Sequence, residues 1–218
     1  MQFKETGLNA KLLGAPCFFY QGEPLKVPGG RVLALLCYLS VSAASTPTMR
    51  ETLLELLWDE GDSLYLRQLL RKLRDLPGGD AWLLTPPEGS VALRAASDLS
   101  AFENAAGAGR YGEALAFWPD GPPSVEGGVH LLSHFSANGL PARFHNWLEG
   151  ERERLEKLYR DALQGQAAQA LEAHDDAAAR GLYRRVLAGD PFNESAVQVL
   201  LELEVRLGNA QGAMTWFG

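Results

Sequence analysis

Cysteine is scarce in this sequence of 218 residues, in which only Cys17 and Cys37 occur. Two cysteines are too few for a disulfide framework, and both stand among apolar residues, in the strings PCFFY and ALLCYL. Cysteine in such surroundings behaves as a small hydrophobic side chain. We therefore predict two buried free thiols.

Long apolar runs are missing as well. No segment reaches the roughly 20 apolar residues that a membrane-spanning helix needs. The first residues, MQFKETGLNAKLLG, contain neither the hydrophobic stretch nor the small-residue cleavage site of a signal peptide. The sequence therefore predicts no membrane partner and a cytoplasmic location.

The motifs of common enzyme classes are also absent. The glycine pairs that begin at positions 29, 78 and 127 are not followed by the Lys and Ser or Thr of a phosphate-binding loop. His130 and His134 stand four residues apart and His145 follows, but no carboxylate or thiol joins them at the spacing of a metal site. The sequence therefore predicts no catalysis, no cofactor and no metal.

Charge is distributed unevenly along the chain. The net charge is -7, but residues 1–100 hold 10 basic and 11 acidic side chains, whereas residues 101–218 hold 10 and 16. Within the first half, Ser63–Leu76 carries four basic residues and one acidic residue. Because the field of the whole chain repels phosphate, any contact with nucleic acid has to be local to this segment.

The segment Ser63–Leu76, SLYLRQLLRKLRDL, has the pattern of an amphipathic helix. Its leucines recur at intervals of three and four residues, which places them on one face. These leucines are Leu66, Leu69, Leu70 and Leu73. Taken alone, such a segment is most often an ordinary solvated helix. The neighbouring elements favour a nucleic-acid recognition helix.

Two helices precede this segment at the spacing of a helix-turn-helix. Arg31–Ser42, RVLALLCYLSVS, is so poor in charge that it predicts a largely buried first helix. A second helix is predicted from about Pro47 to Trp58, with Met49 facing inward and Pro47 in the first turn. Asp59–Asp62 then supplies a turn, and Asp62 or the next residue caps the basic helix.

Extended segments flank the three helices. Three short apolar strings before the first helix, separated by Gly and Pro, predict a small antiparallel sheet. They are Asn9–Gly14, Cys17–Tyr20 and Leu25–Val27. After the basic helix, Ala81–Thr85 and Val91–Arg94 predict a hairpin, which at this place is the wing of a winged helix. Its tip carries Glu88 and no base.

Five strings in this order resemble the transcriptional activators of the antibiotic-regulatory (SARP) type. They are VLALLCYL, ELLW at Glu55–Trp58, LRQLLRKLR at Leu66–Arg74, the hairpin LLTPPEGSVAL, and DLSAF at Asp98–Phe102. The later string WLEGERERL is similar to the start of that family's activator domain. The resemblance implies a winged helix of the response-regulator class followed by a bacterial transcriptional activator domain (BTAD). It also implies that the helical domain forms a homodimer or contacts RNA polymerase or another protein.

The second half is predicted to be helical. Leu99–Ala108 and Tyr111–Trp118 have the pattern of short amphipathic helices, and residues 119–139 form a loop rich in Gly and Pro. From Pro141 to His174 the sequence predicts one long helix, with an apolar stripe and opposed charges along its wet side.

An internal repeat with a period of 34 residues is typical of tetratricopeptide (TPR) repeats. The corresponding residues are Leu163 and Val197, Ala167 and Leu201, Leu171 and Val205, Asp175 and Asn209, Ala179 and Ala213, Leu182 and Trp216, and Tyr183 and Phe217. Asp190–Glu194 forms the break between the copies. The final string MTWFG has no following helix to cover it, and repeat arrays need a polar cap. We therefore expect a fragment of a longer protein, or a partner on this face.

Together these patterns predict a mainly α fold. A winged helix-turn-helix with a small N-terminal antiparallel sheet and a wing hairpin occupies residues 1–96, and an all-α TPR-like domain, truncated at its C-terminus, occupies residues 97–218. The predicted function is a regulator of transcription, by the resemblance an activator, that binds double-stranded promoter DNA. The alternative is a protein-interaction scaffold whose winged helix no longer binds DNA. The predicted DNA-binding residues are Arg67, Gln68, Arg71, Lys72 and Arg74, with Arg50 and Arg94 as contacts to the DNA backbone.

Overall fold

The computed structural model describes residues 7–42, 47–123 and 127–208, and these are mainly helical. In chain order the elements are β1 (Leu8–Lys11), β2 (Cys17–Tyr20), β3 (Glu23–Pro24), α1 (Arg31–Ser42), β4 (Thr48–Met49), α2 (Arg50–Leu57), α3 (Ser63–Arg74), α4 (Gly79–Trp82), β5 (Leu83–Leu84), β6 (Ser90–Leu93), β7 (Ala95–Ser97), α5 (Asp98–Gly107), α6 (Tyr111–Phe117), α7 (Ala142–Glu172), α8 (Asp176–Gly189) and α9 (Glu194–Arg206). No described helix has the length and apolar composition that crossing a membrane requires.

The chain divides into two compact units. The first holds the residues up to Ala101 together with His130–Glu153, and the second holds Phe102–Val129 together with the residues from Arg154 onward. The domain boundary between residues 96 and 97 stays a prediction, because compactness and independent folding are different properties.

A four-stranded sheet with the order β3-β2-β1-β7 begins the first unit. β1 runs antiparallel to β2, with Asn9 opposite Phe19, and parallel to β7, with Asn9 opposite Ala96. The predicted antiparallel sheet is present, but its third strand is Glu23–Pro24 instead of Leu25–Val27. The parallel strand β7 joins the sheet from a distant part of the sequence.

Asp98 ties the start of α5 to the end of β1. One carboxylate oxygen accepts hydrogen bonds from the amides of Leu12 (2.7 Å) and Leu99 (2.8 Å), and the other accepts one from Leu13 (3.3 Å). Burial raises the pKa of this carboxyl, and the three amide donors oppose that effect. The Asp98 side chain therefore provides the hydrogen-bond acceptors for these three backbone amides.

The helices α1, α2 and α3 pack against one another. α1 is largely buried, as its lack of charge predicts. α2 begins at Arg50 and not at Pro47, because Thr48 and Met49 pair with β6 as a short strand. Met49 is consequently 47% exposed, so the prediction that it faces inward is wrong.

The hairpin after α3 belongs to a three-stranded sheet with the order β4-β6-β5, in which Thr48 lies opposite Val91. The sequence places Ala81–Trp82 in the first hairpin strand, but these residues form α4. This helical turn follows Gly78, which has a positive φ of 69°, and a Cβ there would lie 2.1 Å from the ring of Tyr20. Only glycine fits this position, and the turn shortens the strand.

The two cysteines differ in burial. Cys37 in α1 is buried, whereas Cys17 at the start of β2 is exposed. The prediction of two buried thiols is therefore wrong for Cys17. Successive residues of a strand point to opposite faces of the sheet, and it is the neighbouring Phe18 that is buried.

The second unit consists of helices around an aromatic cluster. The rings of Phe102 and Trp118 lie 5.8 Å apart, and those of Trp118 and Tyr159 lie 5.6 Å apart. Tyr159 belongs to α7, which is the single long helix that the sequence predicts.

The helices α8 and α9 pack against each other and are joined at the break predicted between Asp190 and Glu194. The carboxylate of Glu204 on α9 is fully buried and lies 2.6 Å from Arg184 and 3.7 Å from Arg180, both on α8. This ion-pair cluster joins the two helices.

Only three of the seven residue pairs in the predicted repeat lie within the described residues. Of these, Leu163 and Ala167 are buried, whereas Val205, the counterpart of Leu171, is 68% exposed. The other four pairs, and the apolar end with Met214, lie outside the described residues. The TPR assignment therefore stays a prediction.

Candidate nucleic-acid interface

The helix α3 begins at Ser63 because Asp62 caps it. The Asp62 carboxylate accepts hydrogen bonds from the amide of Leu64 and from the hydroxyl of Ser63, both at 3.1 Å. The bond from the Leu64 amide, and to a smaller degree the bond from the Ser63 hydroxyl, hold the pKa of Asp62 below its ordinary value. Of the two caps that the sequence allows, the structure uses Asp62.

The core face of α3 consists of the leucines that the periodicity predicts. Leu66, Leu69, Leu70 and Leu73 are all buried, with no more than 7% of any of them exposed. They pack α3 against α1 and α2. This packing fixes which side of the helix meets solvent.

Four predicted DNA-binding residues lie together on the exposed side of α3. At about 3.6 residues per turn, Gln68 and Arg71 fall at the centre of the face opposite the leucines, with Arg67 on one flank and Lys72 on the other. The Arg67 guanidinium donates to the Ser63 hydroxyl at 3.2 Å. Among the described residues, no carboxylate forms a salt bridge with Arg67, Arg71 or Lys72.

Arg74 differs from these four residues. Its guanidinium donates a hydrogen bond to the hydroxyl of Thr85, at the start of the hairpin tip, and lies 3.9 Å from the carboxylate of Asp80. Arg74 is therefore engaged with the segment that follows α3.

Arg50 and Arg94 lie at opposite ends of the hairpin. The amide of Arg50 donates to the carbonyl of Gly89 at 3.2 Å, which places the start of α2 beside the hairpin tip. The Nε of Arg50 is buried and has no hydrogen-bond partner among the described residues. Arg94 is exposed and follows β6, beside a groove of about 520 Å³ that Tyr20 and Trp82 also line.

The hairpin tip itself adds no positive charge. Glu88 is exposed there and accepts a hydrogen bond from the Ser90 hydroxyl at 3.4 Å. A carboxylate at this place repels phosphate. The bases that the fold brings to the tip come from other elements: Arg50 beside Gly89 and Arg74 at Thr85.

Sequence reasoning missed two residues of this surface. Leu64 and Tyr65, in the first turn of α3, are 50% and 48% exposed. The ring of Tyr65 stacks on that of Trp58 with centroids 6.0 Å apart and an angle of 29° between the planes. The available signal was that both residues stand outside the leucine stripe.

The three histidines of residues 130–145 are all exposed. Throughout the described ranges, no group of three or more His, Cys, Asp or Glu side chains is arranged to hold a metal ion.

Comparison with known proteins gives support at the level of the fold. The chain is similar to Mycobacterium tuberculosis EmbR, solved in complex with a low affinity phosphopeptide, with a TM-score of 0.69 and 18% sequence identity. The match covers 96% of this chain and 57% of the EmbR chain, so this chain spans little more than half the length of that protein. No protein-family model and no curated protein matches the sequence. The likeness supports the SARP-type fold and, at this identity, shows the fold alone.

Proposed function

We propose that this protein regulates transcription by binding promoter DNA through α3 and the β5–β6 hairpin. The observation that carries the proposal is the exposed face of α3, where Arg67, Gln68, Arg71 and Lys72 lie on a helix fixed by a leucine core. The major groove of B-DNA admits a helix of this kind, and its base edges offer partners for these side chains.

The position of each side chain on α3 suggests its role. Gln68 and Arg71 at the centre of the exposed face are placed to reach base edges, where a bidentate pair of Gln with adenine or Arg with guanine contributes about 1–3 kcal/mol of discrimination. Arg67 and Lys72 on the flanks are placed to reach phosphates on the two sides of the groove.

Three further arginines are proposed as contacts to the DNA backbone. Arg50 is the strongest of these, because its amide bonds to the carbonyl of Gly89 and so holds this residue beside the hairpin tip. Arg94 is proposed to contact phosphate from the other end of the hairpin. Arg74 contributes less, since Thr85 already binds its guanidinium.

The second unit is proposed to supply protein contacts, to a second copy of this chain, to RNA polymerase or to another protein. Phe192 and Val205 are 91% and 68% exposed and provide apolar surface for such contacts. We propose that two copies bind together, because a single α3 has to overcome the repulsion between DNA and a chain of net charge -7.

A protein-interaction scaffold that does not bind DNA is the second candidate function. The acidic hairpin tip with Glu88 and the excess of acidic residues in the second half favour it. A scaffold would use the same exposed apolar residues, Phe192 and Val205, and need no contact with phosphate.

A DNA titration separates the two functions. Labelled duplexes enriched from a random pool are titrated with the full chain at about 50 mM and about 200 mM salt, with fluorescence anisotropy as the readout. We expect binding that weakens steeply with salt. Arg71→Ala should cost about 1–3 kcal/mol and relax the sequence preference at one position.

The matched control is Arg110→Ala, which removes an exposed arginine of the second unit that pairs with Glu113. It should leave DNA affinity unchanged. Absence of salt-sensitive binding at the lower salt concentration, or equal losses in the two variants, would contradict DNA binding through α3 and favour the scaffold.

A further inference from the structure

Two large apolar side chains lie exposed in the first turn of α3. Leu64 and Tyr65 have about half of their surface in contact with solvent. The leucines of the core stripe are buried on the other side of the same helix. Packing within the described part of the chain therefore leaves about half of each of these two side chains uncovered.

The ring of Tyr65 is held in place before any partner arrives. It stacks on the ring of Trp58, with the two centroids 6.0 Å apart. The guanidinium of Arg31 in turn lies over the Trp58 ring, 5.6 Å from its centroid. Arg31 is itself fixed, since it donates to the carbonyls of Leu57 (2.9 Å) and Gly139 (2.8 Å). A side chain ordered in this way loses little conformational entropy on binding.

The turn between α2 and α3 fits tightly around the same tryptophan. A Cβ at Gly61 would lie 3.0 Å from the Cβ of Trp58. The start of α3 is therefore set against the end of α2 with little freedom, and the Tyr65 ring is carried at a fixed place on the helix surface.

Leu64 continues the stripe that is proposed to face the bases. Leu64, Gln68 and Arg71 are spaced at four and three residues, which places them in one line along the exposed face. Tyr65 and Lys72 are seven residues apart and lie beside that line. In a recognition helix, the N-terminal residues are the ones that contact base edges.

We infer that Leu64 and Tyr65 read thymine by contact with its 5-methyl group in the major groove. This inference rests on the proposed DNA binding and adds to it the base that the first turn of α3 selects. The thymine methyl is the apolar feature of the major-groove edge, and apolar side chains are its ordinary partners. Gln68 and Arg71 then read the following bases by hydrogen bonds.

The test removes the methyl group from the DNA and leaves every hydrogen-bonding group in place. Each thymine of a duplex selected by the wild-type protein is replaced in turn by deoxyuridine, and affinities are measured with the full chain. Loss of contact with one methyl should weaken wild-type binding about four-fold at one or two positions. Leu64→Ala combined with Tyr65→Ala should remove this discrimination and keep the salt dependence.

Two further variants control for folding and for general loss of affinity. Tyr65→Phe keeps the ring that stacks on Trp58, so it should keep the preference for thymine over deoxyuridine. Arg71→Ala should weaken binding to both DNAs by the same factor and leave their ratio unchanged. Circular dichroism and the thermal midpoint of each variant check that the helical content and the stability are unchanged.

The outcomes separate this inference from the proposed function. Salt-dependent binding that Arg71→Ala weakens, with no penalty for deoxyuridine or with a penalty that survives in the double variant, overturns the thymine contact and leaves DNA binding standing. In that case the surface of Leu64 and Tyr65 is better assigned to a protein partner. Absence of salt-dependent binding overturns both.

Discussion

Asp62 stabilises the first turn of α3 by its charge as well as by hydrogen bonding. The Leu64 amide and the Ser63 hydroxyl lower the pKa of this carboxyl below its ordinary value of 3.8. A carboxylate with a lower pKa in the folded state stabilises the fold above its unfolded pKa. This contribution is lost as the pH falls through the folded pKa.

We expect Asp62→Asn to reduce the sensitivity of the thermal midpoint to acid. The amide keeps an oxygen that can cap the helix but has no proton to gain. Thermal melts followed by circular dichroism between about pH 5 and about pH 2 should show a smaller fall in midpoint than in the wild type. Asp59→Asn, in the preceding turn, is the control. Equal behaviour of the two variants would count against a charged cap.

At the scale of elements, α7 carries two glycines in very different surroundings. A Cβ at Gly165 would lie 2.3 Å from the ring of Tyr111 on α6, whereas a Cβ at Gly150 would have nothing within 4 Å. Both positions lie inside a helix, where alanine is favoured over glycine by about 1 kcal/mol. The close packing against α6 should reverse that preference at Gly165 alone.

We expect Gly165→Ala to lower the free energy of unfolding by about 1–3 kcal/mol, since the added methyl has to displace an aromatic ring. Gly150→Ala should raise it by about 0.5–1 kcal/mol. Urea titrations of both variants measure the difference. Stabilisation by both substitutions would show that the ring of Tyr111 moves aside without cost.

Elements that follow from local periodicity could be predicted from the sequence. The leucine stripe of α3, the low charge of α1 and the long apolar face of α7 each specify a helix without reference to the rest of the chain. The pairing of Thr48 with Val91 and the parallel strand β7 depend on residues far apart in sequence, so no local pattern indicates them. For that reason the sequence pattern predicts the start of α2 at about Pro47 and not at Arg50.

The candidate site was predictable to the same extent. The exposed positions of Arg67, Gln68, Arg71 and Lys72 follow from the helical period. The bond between Arg74 and Thr85 does not, because it depends on the helical turn after Gly78 that sets where the hairpin begins. The contact between Arg50 and Gly89 likewise depends on the short strand β4, which no local sequence pattern indicates.

For the molecule as a whole, the excess of acidic residues limits how many side chains can contribute to the proposed DNA binding. Four cations that form no salt bridge among the described residues are proposed to contact phosphate: Arg50, Arg67, Lys72 and Arg94. Each neutralised phosphate contributes about 0.9 to the slope of affinity against salt on logarithmic axes. One bound copy can therefore give a slope of about -3.6.

We expect a measured slope of about -7, twice the value for one copy, because two copies are proposed to bind together. Anisotropy titrations across a series of salt concentrations give the slope, and sedimentation of the complex gives the number of copies bound. Arg50→Ala should reduce the slope by about 2 in such a complex, one phosphate for each copy. A slope within the limit for one copy would contradict paired binding.

The first unit is built from two separate segments of the chain, and this affects when it can fold during synthesis. This unit takes residues up to Ala101 and then His130–Glu153, so a ribosome has to add 52 more residues after Ala101 before the unit is complete. At about 5–20 residues per second this takes roughly 3–10 seconds. During that interval the nascent chain lacks Trp147, whose ring packs 4.8 Å from that of Tyr38, and Arg143, which pairs with Glu55. The first unit therefore cannot finish folding until the first part of α7, up to Glu153, has been made.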